Sequence, residues 1–208
     1  MTTIGAGPAT RVLDADRVKR VAAVLRSHKI ETHVVETGAE AHDLVLGLIP
    51  EGSEVHSGKS RTLDEIGLYH DIVESGRFDA LRPKLFAMDR ATQAREMRRL
   101  VAAPDYMLGS VAALTEDGIL VAASATGSQL GPYAAGAGRL ILVVGSQKIV
   151  PDLDAAMRRV REVVFPWENE QVRGRLGVDT ALEKVLLILG EWTAGRTTVV
   201  LVREPVGI

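Results

Sequence analysis

The N-terminal half of the chain alternates between segments with an apolar residue at every third or fourth position and short uninterrupted apolar runs. The first pattern predicts amphipathic helices over 14–29 and from Ala41 to Leu48, where Pro50 stops the second helix. The second pattern predicts strands over 32–36 and 53–56. Strand, helix and strand in this order form a βαβ unit, which predicts a parallel sheet with right-handed crossovers.

Both patterns continue through the middle of the chain. Thr62 and Glu65 have the spacing of a capping box, so they predict a short helix that Gly67 ends. Longer helices are predicted from Asp89 to the residue before Pro104 and over 152–163, and strands over 106–114, 119–123 and 139–144.

The C-terminal pattern is different. Two apolar runs, 183–192 and 197–204, are joined by a turn that contains Gly195, and they predict a β-hairpin that covers a sheet edge or another subunit. The predicted fold is therefore α/β, with a mainly parallel sheet flanked by helices and a C-terminal β-hairpin. The length suits a single domain over 10–208, after a disordered stretch at 1–9.

Composition narrows the classes of protein that fit this pattern. Lys and Arg total 25 against 27 Asp and Glu, and the net charge of -2 speaks against nucleic acid or an anionic membrane as a partner. The chain has no cysteine, which excludes disulfides, a thiol nucleophile and cysteine-ligated clusters. With no apolar signal region at the N-terminus, we expect a cytoplasmic protein.

Several polar and aromatic residues suggest no chemistry of their own. The five histidines lack HxxxH and HExxH spacing, so no metal site is predicted. Only His56 lies in a candidate site. The arginines of the helices that begin at 89 and 152 are predicted to form solvated faces, and Trp167 and Trp192 to belong to the core or an interface.

The first candidate site is the turn that follows the strand at 53–56. Gly58, Ser60 and Thr62 lie between this strand and a helix N-terminus, where backbone N–H groups and hydroxyls suit a phosphate or a carboxylate. An ordinary capped turn without a ligand is an equally good interpretation, so both stay open.

Further candidates lie in the segment 105–145 and just after it. Glu116, in a turn between two apolar strands, is a candidate nucleophile or general base, whereas Asp117 suits the turn itself. The glycine-rich stretch 126–133, which contains Gly127, and the glycines at 136–139 let a backbone approach a ligand, and Ser128 or Gln129 offers hydrogen bonds. Lys148 is a candidate partner for an anion. A flexible connection and a solvated lysine are the alternatives.

Three segments together resemble the LUD domain of lactate-utilisation proteins, and the resemblance extends from about residue 10 to the ArgThrThrValValLeuValArgGluProValGly ending. It implies a fold similar to that of the sugar-isomerase and CoA-transferase superfamily. The segments are ValHisSerGlyLysSerArgThrLeuAspGluIleGly at 55–67, AspTyrMetLeuGlySerValAlaAlaLeuThrGluAspGlyIleLeuVal at 105–121, and ValValGlySerGlnLysIleValProAspLeuAspAlaAlaMetArgArgValArg at 143–161.

The resemblance implies an accessory component of an iron–sulfur-dependent system that oxidises L-lactate to pyruvate. The iron–sulfur clusters would lie in two partner proteins, this chain would carry no cofactor, and it would bind a small anionic metabolite. Homo-oligomerisation is left open. The predicted ligand-binding residues are Gly58, Ser60, Thr62, Gly109, Ser110, Gly127, Ser128, Gln129 and Lys148.

The same superfamily supplies the alternative that the chain is a stand-alone enzyme. CoA-transferases use a glutamate in a Glu-Asn-Gly turn as acyl acceptor, and Glu116-Asp117-Gly118 looks similar. Phosphosugar isomerases hold phosphate in a turn that residues 58–62 resemble. The alternative is an enzyme similar to an acyl- or CoA-transferase or to a phosphosugar isomerase, with Glu116 as catalytic residue. Fold likeness does not decide between the two functions.

Overall fold

The structure is a computed structural model that describes residues 14–208. The predicted disorder of residues 1–9 lies outside the described residues, and the single domain over 10–208 stays a prediction. The helices are α1 (Ala15–Ser27), α2 (Gly38–Leu48), α3 (Arg61–Glu65), α4 (Leu68–Glu74), α5 (Leu81–Ala87), α6 (Ala94–Ala102), α7 (Leu153–Arg159) and α8 (Phe165–Leu176).

The strands are β1 (Glu31–Val35), β2 (Glu54–Ser57), β3 (Asp79–Ala80), β4 (Tyr106–Gly109), β5 (Ala113–Thr115), β6 (Leu120–Ser124), β7 (Arg139–Gly145), β8 (Ile149–Val150), β9 (Lys184–Ile188) and β10 (Thr197–Val202). Two π-helical turns, Pro132–Gly136 and Val160–Val164, and a 3-10 turn, Ser146–Lys148, complete the secondary structure. Within residues 14–208, no helix combines the length and apolar character needed to cross a bilayer.

Six parallel strands form the larger sheet, in the order β1-β10-β7-β4-β2-β3. Every residue of β10 is buried, as is every residue of β7 after Arg139. Alternate side chains of these strands face opposite layers: Leu142 packs in the cluster that includes α1, and Val143 in the cluster that includes α2. Such runs suit parallel strands covered on both faces. The predicted α/β fold with a mainly parallel sheet is confirmed.

A second sheet has the order β8-β5-β6-β9 and is mostly antiparallel. Ala156 of α7 and Val160 pack against Ala113 and Val121 of this sheet. The predicted strand 106–114 is therefore divided: β4 belongs to the parallel sheet, and β5 to the second sheet. An apolar run does not reveal such a break, because both parts are buried.

The predicted C-terminal β-hairpin is wrong. β9 pairs with β6 in the second sheet, whereas β10 lies between β1 and β7 in the parallel sheet. The two strands differ in burial, since β10 is wholly buried and three of the five residues of β9 are exposed. A short glycine-containing connection suggested a hairpin, but the burial of β10 on both faces requires a central position.

Two helix starts also differ from the predictions. The N-cap of α3 is Ser60, whose hydroxyl accepts a hydrogen bond from the Leu63 N–H at 3.4 Å, so Thr62 is not the cap. The next long helix begins at Ala94 rather than at Asp89, whose carboxylate accepts from the Ala91 N–H at 2.9 Å in a preceding turn. Thr62 does not cap the helix, and its side chain is buried.

The predicted helix over 152–163 continues further than the apolar stripe indicates. Asp152 caps α7 by accepting from the Ala155 N–H at 2.7 Å, and the π-helical turn at Val160–Val164 then leads into α8. Pro166 lies in the first turn of α8, a position that tolerates proline. The extension matters because α8 forms a wall of the candidate site.

Candidate functional site

A half-open cavity of about 450 Å³ lies where β2 and β4 end at their carboxyl termini, beside the turn that follows β7. Ligands in α/β sheets commonly bind at this edge of the strands. The polar side of the cavity comes from the loop after β2, from Ser110 after β4 and from Lys148 after β7. The segment 160–176 also lines the cavity, with the charged residues Glu168 and Arg175 and with the apolar residues Val160, Val164, Phe165, Trp167, Val172 and Leu176.

Lys148 is the centre of the polar side. Its side chain is 2% exposed, yet it lines the cavity. Its Nζ donates hydrogen bonds to Thr62 Oγ1 at 2.8 Å and to Ser110 Oγ at 2.9 Å. Thr62 belongs to α3, Ser110 follows β4, and Lys148 ends the 3-10 turn after β7, so three segments distant in the sequence meet at one amine.

The two hydroxyls are themselves held in place. Ser110 Oγ donates to the carbonyl oxygen of Val143 in β7 at 2.6 Å, and Thr62 Oγ1 lies 3.3 Å from Ser110 Oγ. Because Ser110 directs its proton to a backbone carbonyl, its lone pairs face Thr62 and Lys148. The amine therefore lies in a hydrogen-bond network that connects α3 with the ends of β4 and β7.

Burial changes the proton affinity of Lys148. Desolvation, with the nearby positive charge of Arg159, lowers the pKa of the Lys148 amine to about 7, and the Glu65 carboxylate opposes this change. Both forms of the amine are therefore populated at neutral pH. The ammonium form attracts anions, and the neutral form has a lone pair.

Arg159 is a second buried cation near this network. It is 8% exposed, and its two terminal guanidinium nitrogens have no hydrogen-bond partner in the described part of the chain. Desolvation lowers its pKa, although a guanidinium stays protonated at neutral pH. A positive field thus persists beside Lys148 when the amine itself is neutral.

Close backbone packing shapes the floor of the cavity. A Cβ atom on Gly109 would lie 1.6 Å from the hydroxyl oxygen of Tyr133, and this hydroxyl donates to the Ser110 carbonyl oxygen at 3.2 Å. Burial raises the pKa of Tyr133, so it stays a neutral phenol. Gly207, with a φ of 78°, would bring a Cβ within 2.1 Å of Thr62 Oγ1. Only glycine fits at these two positions.

Most of the predicted ligand-binding residues meet at this cavity. Gly127 does not line it, but the neighbouring turn does, and Gln129 reaches the loop after β2, where its Oε1 would lie 2.6 Å from a Cβ on Gly58. Three loops distant in sequence therefore share one site, although their ligand-binding roles stay predictions. The predicted residues that line the cavity are Gly58, Ser60, Thr62, Gly109, Ser110, Ser128, Gln129 and Lys148.

Glu116 lies elsewhere. It does not line the cavity, and its carboxylate forms an ion pair with Arg17 of α1 at the turn between β5 and β6. Asp117 accepts a hydrogen bond from Thr115, and Gly118, with a φ of 84°, completes the turn, as its sequence suggested. The catalytic role of Glu116 stays a prediction, and the geometry of the cavity lends it no support.

Some site residues had no usable signal in the sequence. Arg159 was predicted to lie on a solvated helix face, and this is wrong, because a helix stripe does not show which arginine faces a sheet. Tyr133 is the last residue of the glycine-rich candidate stretch 126–133, but the sequence assigned it no role. Most of the apolar residues of the segment 160–176 that line the cavity belong to α8, whose sequence lacks a strong amphipathic stripe. Trp167 lines the cavity, whereas Trp192 is 92% exposed and is not a core residue.

The remaining candidate in the sequence, His56, is a buried residue of β2. Desolvation, with the charge of Arg82, lowers its pKa to about 4, so its imidazole is neutral at pH 7. Within residues 14–208, no group of three or more His, Cys, Asp or Glu side chains is placed to hold a metal ion. The absence of a metal site stays a prediction.

Together, the fold and the cavity define an α/β protein with a lysine-centred candidate ligand site at the carboxyl edge of a parallel sheet. The model of the LUD domain family matches residues 18–175, and the chain belongs to this family of domains associated with lactate utilisation. Among curated protein sequences, none matches the chain.

Two solved structures are similar to this chain over most of its length. A DUF162 family protein from Deinococcus radiodurans is similar over 91% of this chain and 98% of its own, with 14% identity and a TM-score of 0.51. At this identity, the likeness shows the fold alone. The eIF2B delta protein from Chaetomium thermophilum is similar over 68% of this chain and 56% of its own, with 15% identity. Its TM-score of 0.33 is too low to show a shared fold.

Proposed function

We propose that this LUD-domain chain is an accessory component of an iron–sulfur-dependent L-lactate oxidation system and that its cavity binds a small anionic ligand. Membership of the LUD family supports the link to lactate utilisation. The sequence contains no cysteine, so cysteine-ligated clusters of such a system belong to partner proteins. The observation that carries the ligand-binding part is the buried Lys148 amine on the polar side of the cavity.

The hydrogen bonds of Lys148 leave room for an anion. An ammonium group has three N–H donors, and Thr62 and Ser110 accept two of them. The third is available to a carboxylate or phosphate oxygen in the cavity. A bound anion also stabilises the charged form of the amine, which offsets the cost of burial. Lys59 and Arg61 line the same cavity but are paired with Glu168 and Glu65, so the positive charge that attracts an anion comes from Lys148 and from Arg159 beside it.

A direct binding measurement tests this site. We expect isothermal titration calorimetry to detect at least one of L-lactate, pyruvate and inorganic phosphate on the unaltered protein. The variant Lys148→Met should weaken that binding by at least about tenfold, or about 1.4 kcal/mol. If none of these anions binds, or if the variant binds equally well, the anion site is wrong.

Glu116→Gln is the matched control for this experiment. Glu116 is 41% exposed and paired with Arg17 outside the cavity, so its neutralisation should leave anion binding unchanged. An exposed pair of this kind contributes at most about 1 kcal/mol to stability. Loss of binding in this variant would instead support the alternative of an acyl-transferring or phosphosugar enzyme that acts through Glu116.

An exposed strand edge supports the partner part of the proposal. β9 is an edge strand of the second sheet, and one side of it is unpaired by the described strands. Val185 and Leu187 alternate along β9 and Leu189 directly follows it, and the three side chains are 38%, 39% and 62% exposed. An apolar stripe on an open edge strand favours the addition of a strand or an apolar surface from another protein. We assign this stripe to contact with an iron–sulfur partner.

A further inference from the structure

The hydrogen bonds around Lys148 suit a neutral amine as well as an ammonium ion. A neutral –NH2 group has two N–H donors and one lone pair, and Thr62 and Ser110 accept two hydrogen bonds from Nζ. Within residues 14–208, no carboxylate forms an ion pair with this lysine. The neutral form is therefore fully satisfied, and its lone pair is not engaged by either hydroxyl.

The surroundings of this amine favour a nucleophile. Desolvation and the charge of Arg159 lower its pKa to about 7, against the opposing Glu65 carboxylate, so a large share is neutral at pH 7 to 8. An ordinary lysine at this pH is almost wholly protonated. The cavity is the route to the amine, because the side chain is otherwise buried.

We infer that Lys148 forms a reversible imine with a small carbonyl compound that carries an anionic group, such as a 2-oxo acid. The amine lone pair attacks the carbonyl carbon, and the π electrons of the C=O bond move to the oxygen. The two amine protons leave with this oxygen as water, and a C=N bond remains. The step needs no oxidant, reductant or metal, and hydrolysis reverses it.

The class of carbonyl compound follows from the residues around the amine. Arg159, whose terminal nitrogens have no hydrogen-bond partner among the described residues, keeps a positive charge beside the amine when Lys148 is neutral, and this charge favours a substrate with an anionic group. Lys59 and Arg61 also line the cavity, but they are paired with Glu168 and Glu65. Ser110 and Thr62 hold the amine on the polar side, so the carbonyl carbon has to approach from the cavity. This inference rests on the proposed anion site, to which it adds a covalent step.

Reductive trapping tests the imine. The full chain is incubated at about pH 7.5 with sodium cyanoborohydride and glyoxylate, pyruvate or the neutral aldehyde propanal. We expect one stoichiometric adduct with a 2-oxo acid, mapped to Lys148 by peptide mass spectrometry. The trapping rate should be at least about tenfold higher than with propanal and should rise with pH with a midpoint near 7, since only the neutral amine attacks.

Two variants serve as controls. Lys148→Arg keeps the positive charge but cannot form the imine, so the single adduct should disappear while circular dichroism remains unchanged. Lys19→Arg removes an exposed lysine of α1 and should leave the adduct at Lys148 unchanged. Peptide mapping of the unaltered protein identifies the site by itself, so the result does not depend on whether Lys148→Arg folds.

The outcomes separate the inference from the proposed function. Absence of an adduct, an adduct spread over the exposed lysines, or equal trapping of propanal overturns the imine. If calorimetry still detects an anion that Lys148→Met loses, the anion site stands without the covalent step. If neither binding nor trapping occurs, both the anion site and the imine are wrong.

Discussion

At the scale of single residues, the protein keeps an amine where burial disfavours its charge. Lys148 contacts two hydroxyls and no carboxylate partner within the described residues, and Arg159 adds a like charge nearby. Such an arrangement costs stability and persists where a site requires it. Methionine, with a similar length and no charge, would suit the same space better for stability alone.

The prediction for Lys148→Met concerns the pH dependence of the free energy of unfolding. The folded-state pKa is about 7 against 10.5 for an ordinary lysine, so the unfolded chain binds more protons between these values. The free-energy cost of burying the charged Lys148 amine has its full value below pH 7 and disappears as the pH rises to 10.5. We expect the variant to be more stable by about 1 to 3 kcal/mol at about pH 6, since lost hydrogen bonds offset part of the gain.

Urea unfolding at about pH 6 and about pH 9 measures this difference. The advantage of Lys148→Met should shrink at the higher pH, where the unaltered lysine is neutral in the fold. Lys19→Met, on the exposed face of α1, should change stability by less than about 0.5 kcal/mol at either pH. A destabilised Lys148→Met at both pH values would contradict the lowered pKa.

At the scale of elements, the site depends on how the end of β4 packs against the π-helical turn. Gly109 ends β4, and Tyr133 of the turn is 1% exposed directly beside it. A Cβ on Gly136 would lie 1.9 Å from the carbonyl oxygen of Ala102, the last residue of α6. The turn is therefore confined on two sides, and its tyrosine supports the backbone that presents Ser110.

Gly109→Ala should disrupt this packing. The added methyl would lie 1.6 Å from the Tyr133 hydroxyl, so the tyrosine or the strand has to move. We expect a loss of about 2 to 4 kcal/mol in unfolding free energy, with weaker anion binding because Ser110 shifts. Adding Tyr133→Phe to this variant should restore part of the stability.

Gly131→Ala provides the matched control, since a Cβ there meets nothing within 4 Å. Its φ of −60° suits alanine, so stability should change by less than about 1 kcal/mol. Chemical denaturation and calorimetry measure both effects. Equal stability of Gly109→Ala and the unaltered protein would mean that the floor of the cavity is more adaptable than its geometry indicates.

At the scale of the whole molecule, each of the two sheets contributes a different part of the candidate site. The parallel sheet presents the polar loops of the cavity. The second sheet, with the π-helical turn at Val160–Val164 and α8, supplies other lining residues and the open edge at β9. Ala122 and Ala123 of β6 line the cavity, and β9 pairs with β6. A protein that adds to β9 would therefore lie one strand away from the cavity.

The prediction at this scale concerns assembly with iron–sulfur lactate-utilisation proteins. Leu187→Glu places a charge in the exposed stripe of β9 and should weaken association with co-expressed partners by at least about tenfold, measured by biolayer interferometry. Anion binding and thermal stability should stay close to those of the unaltered protein, because Leu187 is 39% exposed and outside the cavity.

Phe86→Glu, on the exposed part of α5, is the control and should leave association unchanged. If Leu187→Glu binds the partners as well as the unaltered chain, the contact is elsewhere. If the unaltered chain shows no association with these partners at all, the accessory role is overturned, whereas the anion site stays testable by itself.

The sequence alone determined the α/β class, the order of most helices and strands, and the loops that carry Gly58, Ser110 and Lys148. Periodicity and turn residues are local properties of the sequence. Three motifs were enough to indicate the LUD family, whose model matches the chain. The local pattern of residues does not reveal which distant strands pair. It therefore predicted a hairpin formed by β9 and β10 and a single strand where the structure has β4 and β5.

Only the tertiary structure decided which of the candidate residues meet. It brought Thr62, Ser110 and Lys148 within hydrogen-bond distance and left Glu116 beside Arg17. It also buried Arg159, which the helix pattern assigned to solvent. Burial and electrostatic fields depend on neighbours far apart in the chain, and so does the proton affinity of a buried lysine. For this reason, the chemistry of Lys148 became visible only when the parallel strands were in place.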